Sequence, residues 1–306
     1  MKRVDHEPDA RIHPTAVVHR RAELGEDVFI GPYSVVDAGV RLGDGCRLHN
    51  QVTIQGHTTV GAGCEFFPGA VIGAKPQDLK YRGELTRLEI GQDNVFREQV
   101  TIHPGTAGGG SVTRVGDHNH FLIGCHVAHD CQVGNRCIVA NYVQIAGHVK
   151  VEDFVTFGGQ AGIHHFVTIG RHAMVGGLTR VTADIPPFMI FVAARTHGRV
   201  RFVNGVGLKR SGLFSEEQIA AIKDAWLRLY SRRARLSGRA IRQIAEEMLA
   251  EDGLDENVRY LCEFIIRSAA HGRHGRYLES LRADDPGAPR GSTPAARPLP
   301  ARQTGT

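Results

Sequence analysis

Residues 24–48 read LGEDVFIGPYSVVDAGVRLGDGCRL, with a large aliphatic residue at every sixth position. These positions are Leu24, Ile30, Val36, Leu42 and Leu48. The spacing extends without a slip back to Ile12 and forward to Ile72. An α-helix repeats its apolar residues about every 3.6 positions and a half-buried strand every second position. The period of six therefore indicates an internal structural repeat.

A small or β-branched residue follows each large one by four positions, and a glycine often follows the large residue directly, as in LGED, IGPY and LGDG. Three six-residue units would close one triangular coil of eighteen residues, and such coils stack as parallel strands about 4.8 Å apart. The large residue fills the interior of the coil, and the glycine suits a tight corner. The sequence therefore predicts a mainly β protein, a parallel β-helix of hexapeptide repeats over residues 12–190.

The repeat is interrupted twice, at residues 73–89 and 105–114, and twelve further positions then run from Val115 to Val181. Loops that leave a solenoid often carry binding residues, because the coil tolerates insertions along one edge. The first interruption contains QDLKY, which brings a carboxylate and an ammonium within three residues. We therefore expect these excursions to serve binding.

The repeat ends near a pair of prolines, and a different pattern follows it. Ser215 and Gln218 form a capping box that would begin a helix, and apolar spacing indicates further helices at residues 239–251 and 256–270. Residues near the end of the chain are rich in proline, glycine and arginine, which is typical of disorder. The predicted divisions are a lead-in at 1–11, the β-helix at 12–190, a linker and small α-helical C-terminal domain at 191–283, and a disordered tail at 284–306.

Composition bears on the compartment and the partners. The formal net charge of +5 is concentrated after residue 195, without the interleaved aromatic residues of a single-strand binding platform, so no nucleic-acid partner is expected. No apolar run approaches the length of a membrane span, and the first residues lack the apolar stretch of a secretory signal. Five of the six cysteines occupy small-residue positions of the repeat, as packing residues in a reducing compartment would. We expect a cytoplasmic protein.

Stacking by eighteen residues selects a few of the seventeen histidines. His129, Gly147 and His165 share one position in three consecutive coils, and Asp130 and His148 share the next position. His129 and His165 should therefore lie two coils apart, or roughly 10 Å. A polar cluster with room for a ligand is predicted along one edge of the prism.

Two chemistries fit this cluster. In the first, neutral His129 is a general base, Asp130 fixes its tautomer, and Gly147 exposes a backbone N–H to a developing oxyanion. In the second, the histidines bind zinc, as three-histidine sites do. The spacing alone does not separate a base from a metal ligand.

Several motifs, in order along the chain, give the sequence a family resemblance. They are QDLKY (77–81), HVAHD (126–130), NRC (135–137), AGH (146–148), IHHF (163–166), MVGG (174–177) and GLKR (207–210). With them the chain resembles the UDP-N-acetylglucosamine O-acyltransferases of lipid A synthesis, over residues 12 to about 270. The resemblance implies that the β-helix is left-handed and that the protein is a homotrimer with sites between neighbouring prisms.

The resemblance also implies a reaction. His129 would be the base on the glucosamine 3-hydroxyl, which attacks a 3-hydroxyacyl thioester carried on the phosphopantetheine of acyl carrier protein. Asp130 would orient His129, and the Gly147 amide would stabilise the oxyanion. No metal and no other cofactor is implied. The expected partners are acyl carrier protein and UDP-N-acetylglucosamine.

The matching motif positions imply a set of substrate-binding residues. The set is Gln77, Asp78, Lys80, His126, His148, His164, His165, Gly177, Asn204 and Arg210. Gly177 matches an acyl-slot position and, having no side chain, predicts a medium to long acyl chain. The chain departs from the family at His165, where glutamine is common, at Ser211, where a second arginine is usual, and at Val206, where an acidic nucleotide contact is absent.

Two other functions remain open from the sequence. One is a zinc-dependent enzyme similar to the hexapeptide carbonic anhydrases, and the other is a non-catalytic hexapeptide scaffold. Acyl transfer would need a dock for an acidic carrier protein, and basic residues of the C-terminal region could supply it. These residues include Arg228, Arg232, Arg233 and Arg235.

Overall fold

The computed structural model describes residues 11–193, 198–271 and 275–281. Nearly all of the predicted lead-in, the tail predicted to be disordered, and Arg195 of the predicted linker lie outside the described residues. Short parallel strands joined at three corners form a β-helix with triangular coils. No helix within the described ranges is long and apolar enough to cross a membrane.

The three walls of the prism are three sheets. The nine-stranded wall contains β1 (Val17–Val18), β4 (Val35–Val36), β7 (Thr53–Ile54), β10 (Val71–Ile72), β13 (Thr101–Ile102), β16 (His126–Val127), β19 (Gln144–Ile145), β22 (Gly162–Ile163) and β25 (Arg180–Val181). The eight-stranded wall contains β2 (Glu23–Leu24), β5 (Arg41–Leu42), β8 (His57–Val60), β11 (Arg87–Ile90), β14 (Val112–Val115), β17 (Gln132–Val133), β20 (Lys150–Val151) and β23 (Thr168–Ile169). The ten-stranded wall contains β3 (Phe29–Ile30), β6 (Arg47–Leu48), β9 (Glu65–Phe66), β12 (Val95–Phe96), β15 (His120–Phe121), β18 (Ile138–Val139), β21 (Thr156–Phe157), β24 (Met174–Val175), β26 (Met189–Val192) and β27 (Arg199–Val203).

The register between coils is eighteen residues, as the repeat predicts, so that Val17 pairs with Val35. At the excursions the ladder continues across a longer gap: His57 pairs with Arg87, and Arg87 pairs with Val112. The extra residues therefore loop out of the corner without breaking the wall. Both excursions end earlier than their predicted bounds, because β11 begins at Arg87 and β14 at Val112.

The large residue of each unit points into the prism and forms one continuous core. Phe66, Phe96 and Phe121 stack in consecutive coils, with ring centroids 4.8 and 5.2 Å apart. The five cysteines of the repeat are free and fully buried at the small-residue positions, as predicted. Burial raises the pKa of the Cys131 thiol to about 12, so this side chain is a neutral packing group.

Among the described residues, an antiparallel strand and six helices follow the last parallel coil. The strand, β27, pairs with β26 and lies where the sequence analysis placed a linker. The capping box of Ser215 and Gln218 begins the second helix, as predicted. The helices are α1 (Gly205–Ser211), α2 (Glu216–Tyr230), α3 (Arg232–Leu236), α4 (Ile241–Leu249), α5 (Glu256–His271) and α6 (Tyr277–Ser280). The predicted helix at 239–251 corresponds to the shorter α4, whereas α1, α3 and α6 are not foreseen.

His172 lies where the β-helix meets the helical domain. Its ring stacks on Phe154 with centroids 4.5 Å apart and meets Phe214 edge-on at 4.9 Å. Only 5% of the residue is exposed. Burial, reinforced by the nearby Arg171 cation, lowers the pKa of His172 to about 4. The imidazole is therefore neutral in the folded protein near pH 7.

This buried imidazole should make the protein less stable in mild acid. Below a pH of about 6.5 His172 binds a proton in the unfolded chain, whereas in the folded protein it does so only near pH 4. The free energy of unfolding therefore decreases as the pH falls through this range. We expect His172 to account for about 2 kcal/mol of the loss between pH 7.5 and pH 5. His172→Phe should remove that part and keep the ring stack.

The measurement is urea denaturation at the two pH values and at one protein concentration. Exposed His57 on β8 offers a matched control, His57→Phe. This variant should lose as much free energy of unfolding between the two pH values as the wild type does. An equal loss in His172→Phe and wild type would contradict the assignment.

Candidate active site

His129 lies at the corner that follows β16, where the nine-stranded wall turns towards the eight-stranded wall. Its Nδ1 is 2.8 Å from Oδ2 of Asp130. An ionised carboxylate only accepts hydrogen bonds, so Nδ1 carries the proton and donates it. Nε2 is then left with a free lone pair. The neighbouring carboxylate thus prepares His129 as a base.

Asp130 is held by the second excursion. Thr106 donates its backbone N–H to Oδ1 at 2.8 Å and its hydroxyl to Oδ2 at 2.6 Å. The backbone N–H of Asp130 donates to Oγ1 of Thr113 at 2.8 Å. Gly109 packs so closely that a Cβ there would lie 2.0 Å from Cγ of Asp130. The excursion therefore fixes a buried carboxylate, and these three supporting residues are absent from the sequence prediction.

Gly147 lies one coil above His129. A Cβ on Gly147 would lie 2.6 Å from Cε1 and 2.8 Å from Nε2 of His129, so only glycine leaves the free nitrogen open. No acceptor among the described residues takes the Gly147 N–H. At the equivalent position of some other units an aspartate of the next coil accepts this amide, as Asp44 does from Glu26 at 2.7 Å. Here the next coil supplies His165 instead, and the N–H stays available.

A cleft of about 1260 Å³ opens beside these groups. The first excursion forms one side, where Oδ1 of Asp78 accepts the backbone N–H of Lys80 at 2.9 Å. Glu84 links the two excursions by accepting the Ala107 N–H at 3.3 Å. The cleft brings together seven of the predicted site residues, namely Gln77, Asp78, Lys80, His129, His148, His164 and His165.

Known families and structures match this chain. A family model described as UDP N-acetylglucosamine O-acyltransferase, domain 2, matches residues 184–274, and a bacterial transferase hexapeptide model matches residues 113–147. A crystal structure of a UDP-N-acetylglucosamine acyltransferase is 39% identical, with 84% of this chain and 96% of that chain covered and a TM-score of 0.78. The enzyme of Bacteroides fragilis is 37% identical, with 83% and 96% covered and a TM-score of 0.77. That of Francisella novicida is 32% identical, with 83% and 90% covered and a TM-score of 0.78.

The chain belongs to the UDP-N-acetylglucosamine acyltransferase family. This membership agrees with the resemblance that the sequence motifs indicate and with a left-handed β-helix as the fold.

In this family member further imidazoles surround His129. The ring of His148 stacks on Phe166 with centroids 4.4 Å apart and meets His129 edge-on at 5.1 Å. Its Nε2 is 3.8 Å from Oδ2 of Asp130. Burial, followed by the charges of His164 and His129, lowers the pKa of His165. The His165 imidazole on the cleft wall is therefore neutral near pH 7.

His126 faces a smaller cleft of about 380 Å³ on the nine-stranded wall, which shares His164 with the first. Its Nδ1 is 2.8 Å from Oγ1 of Thr101. His103, which the sequence analysis did not select, meets His126 edge-on at 4.8 Å. Burial and the neighbouring histidines lower the pKa of His103 to about 4 and also lower that of His126.

Three predicted substrate-binding residues, Gly177, Asn204 and Arg210, line neither of these two clefts. Gly177 lies at the corner after β24, on the ten-stranded wall. Asn204 is buried as the N-cap of α1, where its Oδ1 accepts the Gly207 N–H and its Nδ2 donates to the His172 carbonyl at 2.9 Å. Arg210 is exposed on α1. Within one protomer the substrate-binding set is therefore divided.

The acyltransferase site can also be compared with a metal site. Ligand atoms of His129, Asp130 and His148 all lie within 4.8 Å of one another. Two ligands of a tetrahedral zinc ion lie about 3.3 Å apart, since each zinc–ligand distance is about 2.0–2.1 Å. The His129–Asp130 distance of 2.8 Å is that of a hydrogen bond. Asp130 is therefore placed to orient the His129 ring by a hydrogen bond, and not to share a metal ion with its Nδ1.

The closeness of Gly147 and His129 yields a prediction. Gly147→Ala should lower kcat by a factor of about 100 or more, because the new Cβ occupies the space in front of Nε2. The fold should be retained, since φ at Gly147 is not in the left-handed region, but the His129 ring must shift away from the new Cβ. Gly205→Ala is a matched control, because its Cβ would find no atom nearer than 3.9 Å. Full activity of Gly147→Ala would contradict the assigned geometry.

Proposed function

We propose that this protein transfers a 3-hydroxyacyl group from acyl carrier protein to the 3-hydroxyl of UDP-N-acetylglucosamine, the first step of lipid A biosynthesis. One observation carries the proposal: Nε2 of His129, with its lone pair free, faces Gly147, whose missing Cβ would lie 2.8 Å from it and whose N–H has no acceptor among the described residues. A base and an oxyanion donor at one point are what acyl transfer to a hydroxyl requires. Membership of the family supports the choice of substrates.

The reaction needs one proton shuttle. Nε2 of His129 takes the proton of the sugar 3-hydroxyl as its oxygen attacks the thioester carbonyl carbon. The carbonyl oxygen becomes an oxyanion that accepts the Gly147 N–H. The tetrahedral intermediate then collapses, the C–S bond breaks, and the proton on His129 passes to the departing pantetheine sulfur. The products are the O-acylated sugar nucleotide and free carrier-protein thiol, and neither a metal nor another cofactor enters the balance.

Asp130 supports this shuttle electrostatically. Its side chain is fully buried and accepts hydrogen bonds from Thr106 and His129. In a site of low dielectric this charge stabilises the imidazolium that forms during attack. The same bond prevents the ring from turning its protonated nitrogen towards the sugar.

We place the acceptor sugar between the first excursion and His129. Gln77, Asp78 and Lys80 face His129 across the cleft. The ammonium of Lys80 is exposed on the excursion, where it is free to meet an anionic or carbonyl oxygen of a substrate. The expectation for these residues comes from the matching family motif, and their common cleft supports it.

We propose a homotrimer in which neighbouring prisms complete each site. Gly177 and the exposed Arg210 do not line their own protomer's cleft, which a site shared between protomers would explain, whereas Asn204 is buried as the N-cap of α1. The ten-stranded wall and its corner expose Ile138 (44%) and Leu178 (74%), apolar side chains that an interface would cover. A glycine at position 177 would leave room there for a medium to long acyl chain. Sedimentation as a monomer would contradict this assembly.

The carrier protein would dock on basic residues of the helical domain. Arg232, Arg233 and Arg235 are exposed on α3. Arg228 is instead engaged by both carboxylate oxygens of Glu251. We therefore restrict the proposed dock to the α3 arginines, which would steer an acidic partner. The free, buried cysteines fit the reducing cytoplasm as the compartment.

Replacing the base tests the mechanism. His129→Gln should lower kcat by about 100-fold to 10,000-fold, because the amide cannot accept the hydroxyl proton. The assay is transfer of 3-hydroxyacyl groups from carrier protein to UDP-N-acetylglucosamine, across several chain lengths. His57→Gln, at an exposed histidine on β8, is the matched control and should keep wild-type activity. An unfolded His129→Gln protein would be recognised by its circular dichroism.

The alternatives make different predictions for the same protein. A zinc enzyme would contain stoichiometric metal and lose its activity on chelation, whereas the acyltransferase should be indifferent to chelators. A non-catalytic scaffold would show no transfer in the wild type. Transfer that survives His129→Gln undiminished would overturn the proposed mechanism.

A further inference from the structure

The segment 275–281, which contains α6, covers one end of the catalytic corner. Ala183 occupies the coil position that follows His129, Gly147 and His165 in that column. A Cβ on Gly275 would lie 3.3 Å from Cβ of Ala183, so the segment packs directly on the corner. The match to the family model ends at residue 274. The segment therefore lies just beyond the residues that the family model matches.

Several hydrogen bonds fix the segment in place. The Gly275 carbonyl accepts the Asp184 N–H at 2.7 Å, and the Tyr277 N–H donates to Oδ2 of Asp184 at 3.0 Å. Nη1 of Arg276 donates to the carbonyl of Thr182 at 2.7 Å, and only 6% of Arg276 is exposed. These hydrogen bonds hold α6 in place, because a helix of this length would not be stable by itself.

The segment presents a mainly apolar surface to the catalytic cleft. Leu278, Glu279 and Leu281 line the same cleft as the first excursion and the histidines. The carboxylate of Glu279 is bound by Arg276, with Nε 2.7 Å from Oε2, so its charge is compensated. The two leucines are partly exposed and are free to contact a bound molecule.

The position along the corner identifies which part of the acceptor would reach this surface. If the sugar hydroxyl lies at His129, the cleft continues for two coil spacings, roughly 10 Å, to His165 and then to the segment. A hexose does not fill that length, but a nucleoside diphosphate attached to it extends in that direction. The imidazoles of His164 and His165 offer donors for phosphate oxygens on the way.

On the basis of the proposed function, we infer that residues 275–281 form the far wall of the acceptor site and contact the nucleotide end of the sugar nucleotide. Leu278 and Leu281 provide an apolar face against a pyrimidine ring, and Arg276 holds the wall in position. The segment thereby raises the affinity for the nucleotide-linked sugar over the sugar phosphate alone.

Removing the apolar face should weaken nucleotide binding selectively. In Leu278→Ala/Leu281→Ala we expect the KM for UDP-N-acetylglucosamine and the Ki for UDP to rise by about tenfold, as the loss of two part-buried leucine contacts implies. Inhibition by N-acetylglucosamine 1-phosphate, the KM for acyl carrier protein substrate and kcat should stay within a factor of about two. Val17→Ala, at an exposed apolar residue of the first coil, is the control.

If the double variant is unstable, Leu281→Ala alone can replace it, because Leu281 is 40% exposed. This single variant should raise the KM for UDP-N-acetylglucosamine and the Ki for UDP by about threefold. An unchanged Ki for UDP in an active, folded variant would overturn the inference. So would an increase confined to the KM for the acyl donor, since the wall would then face the carrier arm. A wild-type protein without transfer activity would instead refute the proposed function.

Discussion

The hydrogen-bonded stacking of one coil on the next, with residues eighteen apart in register, is the constraint on which the rest of the structure depends. Each wall strand has only a few residues, so a strand is stable only as a rung between its neighbours. The register decides which side chains share a column, and a slip by one residue would turn core residues outwards. His129, Gly147 and His165 form one column for this reason. The catalytic geometry is a property of the repeat.

The repeat supplies the column, but it does not supply the environment of Asp130. Burying an ionised carboxylate is unfavourable unless hydrogen bonds replace its water. The second excursion provides them through Thr106, and Gly109 leaves room for the approach. An insertion that the coil merely tolerates has thus become the support of the base. A change in its length would disturb His129 without touching the core.

Features of the fold and site that depend on residues close together in sequence could be predicted, and those that depend on contacts between distant residues could not. Walls, core residues and the stacked histidines follow from a local period, and the α2 cap follows from Ser215 and Gln218 within one turn. Thr106, which donates two hydrogen bonds to Asp130, lies 24 residues away in sequence, inside an insertion where the period gives no register. The strand β27 and helix α6 form only because they pack on the end of the prism. Their own sequences contain no comparable periodic signal.

The crowding of imidazoles also decides which histidine can act as the base. Burial and repulsion from neighbouring imidazoles both lower the pKa of His103, His126 and His165. These three rings are therefore neutral near pH 7. Among the imidazoles that line the cleft, His129 has a carboxylate at hydrogen-bond distance, whereas His148 is 3.8 Å from the same oxygen. A proton taken from a substrate hydroxyl is therefore best stabilised on His129. The surrounding neutral rings can donate hydrogen bonds to the phosphates without adding positive charge that would oppose its protonation.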